Sequence, residues 1–225
     1  MALCKALCLS FFANALRSFC SKDADHGQNR TCFPARAQIG LSRVACHRRC
    51  AFRSLRAVLD CQEKIGLEGP GKAAILVNSG NSNAFTGKNG MDAVQKITTA
   101  VADAMGIDQT RVFTSSTGVI GEPLKWERIT AKIADLGAAL DEAGISAAAR
   151  AIMTTDTFAK GATQTVQLDG AAVKIAGIAK GSGMIAPDMA TMLSYIFTDA
   201  NISRDVLQQC IWLDNAKTFN CVTVD

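Results

Sequence analysis

The sequence predicts an α/β fold. Residues 91–105 and 125–140 repeat apolar side chains at helical spacing. Residues 73–78 and 192–198 are short apolar runs, and residues 163–178 alternate apolar with polar about Gly170. Helical and extended segments interleave and no internal repeat is visible, so sheets layered with helices are expected.

Regular structure begins near Ala57. Ala73 to Asn78 is a run of small and branched residues closed by Ser79-Gly80-Asn81, which reads as a buried strand feeding a turn. Val94, Ile97, Val101 and Met105 then share one helical face, and Gly106 supplies the stop. Val112-Phe113 reads as a brief strand entering a loop, Thr114-Ser-Ser-Thr-Gly118. A second helix is expected over 125–140, ending before Gly144. Val166, Leu168, Val173 and Ile175 flank Gly170 in a hairpin pattern. Residues 192–198 form another expected strand, and Ser203 is a suitable N-cap for a helix through Trp212.

Composition narrows the classes of function. The 225 residues are 48% hydrophobic and 20% charged, enough apolar material for a sizeable core. No run of roughly 18 apolar residues exists, so no membrane-spanning segment is expected. The net charge of +4 hides a split: residues 1–59 carry about +8 and residues 60–225 about −4. The basic residues lie among Cys, Phe and Leu without the aromatic–basic interleaving of a nucleic-acid surface, so no nucleic-acid partner is expected. Seven of nine cysteines lie at or before Cys61, leaving Cys210 and Cys221. That odd, lopsided count argues against a disulfide scaffold and for a reducing compartment.

Residues 1–57 form a basic, Cys- and Arg-rich arm. Its first 20 residues are apolar and free of acids, as in an organellar transit peptide or, less well, a secretory signal. The remainder has no sustained period and equally resembles translation in a wrong reading frame. Cys46-His47-Arg48-Arg49-Cys50 lacks the second pair that would complete a zinc site, and no metal is expected. Gly66 to Ala73 nearly spells a phosphate loop. Ala73 replaces the required hydroxyl, however, and the segment precedes a strand where a phosphate loop follows one.

His26 and His47 are the only histidines and both lie in the arm, which excludes a Ser-His-Asp or Cys-His centre in the body. Hydroxyl chemistry without histidine remains. Three glycine-and-hydroxyl segments follow apolar runs: Asn78 to Asn83, Thr114 to Gly118, and Lys180-Gly-Ser-Gly183. Each is also a plausible plain turn.

Residues 180–193, Lys-Gly-Ser-Gly-Met-Ile-Ala-Pro-Asp-Met-Ala-Thr-Met-Leu, closely resemble the self-cleavage segment of the ornithine acetyltransferases, also called bifunctional glutamate N-acetyltransferases. Three further segments resemble that family in order: Ile75 to Gly87, Ser115-Ser-Thr-Gly-Val-Ile-Gly121, and Ile152-Met-Thr-Thr-Asp-Thr157. The resemblance spans 58–225. It implies a layered sheet-and-helix sandwich of the ornithine acetyltransferase/DmpA-like type, here incomplete at both ends. It also implies three regions: the arm, 1–57; an alpha-chain-like region, 58–190; and the start of a beta-chain-like region, 191–225.

By resemblance, Thr191 is the nucleophile, the bond between Ala190 and Thr191 is cut, and Thr117 and Gly118 form the oxyanion hole. Thr154, Lys180 and Thr191 would contact substrate. The implied reaction moves acetyl from N-acetylornithine to glutamate through an acetyl-threonine, in arginine biosynthesis. No bound cofactor is implied; acetyl-CoA is a possible co-substrate. The cleaved chains would form an alpha/beta hetero-oligomer, in the cytoplasm or, for a eukaryotic source, the mitochondrial matrix. Asp188 stands where relatives commonly carry Asn.

Further substrate residues of the family would fall beyond Asp225, so an inactive or partial fragment is expected. The residues alone leave plainer readings open: Thr191 as a strand residue, Lys180 as a solvated loop charge, Thr154 as a helix C-terminal hydroxyl. Two other functions also stay open, a self-processing N-terminal-nucleophile aminopeptidase or amidase and a non-catalytic remnant.

Overall fold

The computed structural model describes residues 38–40, 55–65, 67, 72–182, 184–185, 192–215, 217–221 and 223–224. Two compact units share them, one drawn from Cys46–Asp141 and the other from Met1–Ala45 with Glu142–Asp225.

The first unit is a strand–helix–strand core. Strand β2 (Ala74–Asn81) pairs in parallel with β3 (Val112–Val119), from Ala74 opposite Val112 to Gly80 opposite Gly118. Parallel strands need a long crossover, supplied here by α2 (Gly87–Met105). That helix buries Ala93, Val94, Ile97, Thr98, Val101 and Ala102, one face at three- and four-residue spacing. It ends where Gly106 turns left-handed, with its N–H on the Ala102 carbonyl. Val101, Ala102, Val112 and Ile133 form the core, flanked by Ala74, Leu76, Ala100 and Ile107. Helix α1 (Arg56–Lys64) packs on β3 and α2. Its Lys64 pairs with the buried Asp60 at 2.8 Å and reaches the Val112 carbonyl at 3.3 Å.

Several expectations are corrected here. Thr114 to Gly118, and Asn78 to Asn81, are strand rather than loop or turn, because each runs on in the parallel ladder. The helix expected over 125–140 is two, α3 (Trp126–Thr130) and α4 (Ile133–Ala138), with Ala131-Lys132 between them. Helix α2 begins four residues earlier than its apolar period, because Asn83 and Thr86 organise its entry.

The second unit is built on a four-stranded antiparallel sheet in the order β1 (Gln38–Gly40), β7 (Leu193–Thr198), β5 (Ala171–Lys180), β4 (Lys160–Leu168). Strands β4 and β5 form the expected hairpin. Its two-residue turn, Asp169-Gly170, has φ of 49° and 81°, the double positive φ of a tight hairpin turn. Helix α5 (Ile145–Ala151), which ends three residues before Thr154, packs on β4 and β5. Helix α6 (Arg204–Asn215) follows Ser203, whose hydroxyl accepts from Val206 N at 3.5 Å. A short pair, β6 (Met184–Ile185) with β8 (Thr223–Val224), completes the unit.

Apart from β1 and residues 55–57, the last two of which open α1, the arm, its cysteine–histidine cluster included, lies outside the described residues. No helix among the described residues is long and apolar enough to cross a membrane.

Candidate active site

Two polar clusters emerge, one in each unit. In the first, the segment from Asn78 to Gly90 is tied to the end of β3. Asn78 Nδ2 donates to the Asn81 carbonyl at 2.9 Å, and Ser116 Oγ donates to Asn78 Oδ1 at 2.5 Å. Ser82 donates twice to the Val119 carbonyl, from N and from Oγ, at 2.9 and 2.8 Å. Asn81 Nδ2 donates to the Glu122 carbonyl and Gly121 N to the Ala84 carbonyl. Asn83 is fully buried with φ of 49°. It donates to the Gly90 carbonyl at 3.0 Å and accepts from Thr86 Oγ1 at 2.8 Å. Buried amides satisfied on both sides hold a single geometry.

Thr117 and Gly118 stand at the end of β3 inside this lattice. Thr117 is buried and pairs with Ser79; Gly118 is exposed and pairs with Gly80. Gly118 has φ of +132°, and a Cβ there would lie 2.5 Å from the Gly80 carbonyl oxygen and 2.6 Å from Asn81 N. Only glycine fits at 118, so this exposed residue is rigidly placed beside the buried Thr117. A depression of about 300 Å³ opens beside it, between Asn78–Asn81 and Glu122–Ile129.

In the second unit, Lys180 ends β5 with only 4% of its surface exposed, which corrects the reading of it as a solvated loop charge. Its ammonium donates to Thr154 Oγ1 at 2.7 Å. Thr154 lies beyond the end of α5, so its hydroxyl is not a helix C-terminal group but the acceptor for Lys180. The carboxylate of Asp156 accepts from Lys160 Nζ at 2.5 Å, Gly181 N at 2.6 Å and Thr154 N at 3.3 Å, and lies 4.0 Å from Lys180 Nζ. Burial pushes the Asp156 carboxyl up, but the donors from Lys160, Gly181 and Thr154 outweigh it and hold the group below the usual carboxylate range. Burial pushes the Lys180 ammonium down; Asp156 opposes that fall and Lys160 adds to it.

The structure therefore brings Thr154 and Lys180 together in one unit and places Thr117 and Gly118 side by side in the other. Ala190 and Thr191 lie outside the described residues; Leu193, two positions after Thr191 in sequence, pairs with Lys180 across the sheet. The sequence reading left Asp156 and Lys160 without a role. A signal for Lys160 was present: a two-residue turn at Asp169-Gly170 sets residue 160 opposite 179, next to Lys180. Among the described residues no group of His, Cys, Asp and Glu could hold a metal ion.

These features define a mixed α/β protein that presents rigid hydroxyl, amide and ammonium groups at strand ends. A family model described as the ArgJ family matches residues 49–225. The chain is 63% identical over 186 residues to the arginine biosynthesis bifunctional protein ArgJ of Ruegeria pomeroyi, covering 83% of this chain and 45% of that protein. It is 49% identical over 168 residues to the ArgJ protein of Gluconobacter oxydans, covering 75% and 39%. The crystal structure of ArgJ from Bacillus halodurans superimposes with a TM-score of 0.51 at 38% identity, over 58% of this chain and 68% of that one. The chain belongs to the ArgJ family, and it spans less than half the length of these two curated relatives.

Proposed function

We propose that this chain serves the acetyl transfer of arginine biosynthesis, moving acetyl from N-acetylornithine to glutamate, with acetyl-CoA as a possible second donor. The observation that carries the reading is the family match over residues 49–225, a span that includes 180–193 and Thr191.

In this reading Thr191 Oγ attacks the Ala190 carbonyl, and the peptide bond becomes an ester that water opens. Cleavage frees the α-amine of Thr191, with an ordinary pKa of about 7.7–8.0, suited to act as general base near neutral pH. That amine takes the proton of its own hydroxyl as Oγ attacks the acetyl group of N-acetylornithine. Ornithine leaves, and glutamate's amine then collects the acetyl group. Each attack creates a tetrahedral oxyanion, which donors at Thr117 and Gly118 would stabilise; losing one such donor costs on the order of 3 kcal/mol of barrier. The rigid, glycine-locked strand end at Gly118 supports that assignment. Lys180, held against Thr154, would meet a substrate carboxylate. The cleaved chains stay associated, and the reaction belongs to the cytoplasm.

The test is a mass measurement followed by a chase. The purified chain should yield two fragments meeting at Ala190/Thr191, and Thr191→Val should stay whole. Labelled N-acetylornithine should leave acetyl on the new N-terminal threonine, and glutamate should remove it as acetylglutamate. Peptide hydrolysis in place of acetylglutamate, or an uncut wild-type chain, overturns the reading.

A further inference from the structure

Lys180 has a task in the proposed reaction, and its neighbours explain how it is held to it. The Asp156 side chain is wholly shielded from solvent, that of Lys180 is 5% exposed, and that of Lys160 is 16% exposed. An ionised carboxylate so shielded persists only when several donors converge on it. Asp156 gathers them from three segments: Thr154 N ahead of it, Lys160 Nζ at the start of β4, and Gly181 N just past β5. The Lys180 ammonium stands 4.0 Å away and points its hydrogen bond at Thr154.

Lys160 is the most exposed of the three charged groups and also lies over the Phe158 ring, 4.7 Å from its centre. It could reach water without Asp156, whereas Asp156 has no such route. The lysine therefore serves the carboxylate rather than the reverse.

Resting on the reading of Lys180 as the group that meets a substrate carboxylate, we propose that Asp156 is its positioning residue. Its carboxylate fixes the Lys180 ammonium, Thr154 and the Gly181 backbone relative to one another, and Lys160 is the counter-ion that lets it remain charged while shielded. The depressed Asp156 carboxyl agrees with this arrangement.

The discriminating variant is the double substitution Asp156→Asn with Lys160→Met, which leaves neither member of that pair alone. Lys180 is followed by NMR of 13C-methylated lysines, assigned with Lys180→Arg. The double variant should melt closer to wild type than Asp156→Asn alone. In Asp156→Asn alone Lys180 should titrate lower than in wild type, having lost the group that opposes the effect of burial; in the double variant the loss of Lys160, which pushes the same way as burial, should return part of that fall. The double variant's Kd for N-acetylornithine should weaken about tenfold, and in a Lys180→Met background the same pair of changes should alter Kd no further.

A wild-type titration of Lys180 in both Asp156 variants overturns the proposal, as does a Kd loss that persists without Lys180. A wild-type chain that binds no N-acetylornithine counts against the proposed function, and the Lys180 titration still decides the role of Asp156.

Discussion

Gly118 and Gly106 both have positive φ, yet their surroundings differ in a way that separates two costs. At Gly106 (φ +61°) a Cβ would meet nothing within 4 Å, so Gly106→Ala carries only left-handed backbone strain, about 1–2 kcal/mol. At Gly118 (φ +132°) the Cβ would also strike backbone atoms of Gly80 and Asn81, which cannot swing aside. Gly118→Ala should therefore lower the urea midpoint by more than Gly106→Ala, by roughly 3 kcal/mol or more when converted with an unchanged slope. Equal midpoints would show that the ladder from Gly80 to Gly118 yields easily.

Asp156 makes a prediction in pH. Its folded carboxyl lies below the ordinary 3.8, so the folded state binds this proton more weakly than the unfolded state. The stability it contributes is present above pH 3.8 and is lost as pH falls through the folded value. The Asp156→Asn/Lys160→Met chain should show a shallower fall of melting temperature on acidification from pH 5 than wild type. Parallel curves would mean that the carboxylate is not held in its charged form.

Among the elements, packing and ladder pairing carried different amounts of visible signal. The hairpin was legible because Asp169-Gly170 can take two positive φ values and its strands alternate. Helix α2 was legible from its apolar period and its glycine stop. The ends of β2 and β3 were not, since Ser79 facing Thr117 and Gly80 facing Gly118 are pairings made by a partner strand more than thirty residues away. Local chemistry there favours turns, and the tertiary ladder overrides it. The break at Ala131-Lys132 likewise has no Gly or Pro to announce it. Its packing consequence is testable. Ile133 on α4 is 6% exposed against Val101, Ala102 and Val112, while Leu136 is 54% exposed. Ile133→Ala should cost about 2–5 kcal/mol by urea denaturation, and Leu136→Ala should stay within about 0.5 kcal/mol of wild type. Comparable losses at both positions would place the core elsewhere.

For the whole molecule, the segment most telling in sequence, 180–193, is the one whose reacting bond lies outside the described residues. What the fold adds is the fate of the piece that cleavage would create. Residues 191–225 contain β7, which lies between β1 and β5 and is hydrogen-bonded on both sides, from Gln38 opposite Thr198 on one edge to Lys180 opposite Leu193 on the other. Tyr195 and Thr198 of that strand are buried, and β8 pairs with β6. An inner strand cannot leave without exposing two rows of backbone groups and the apolar surface beneath it, each buried unpaired group costing about 1–3 kcal/mol. A cut between Ala190 and Thr191 should therefore leave one particle. Denaturing mass analysis should show two fragments, while native size-exclusion chromatography of the same sample should show one peak containing both, separating only as the chain unfolds in urea. A small fragment eluting alone under native conditions would mean that β7 is not held as the sheet places it.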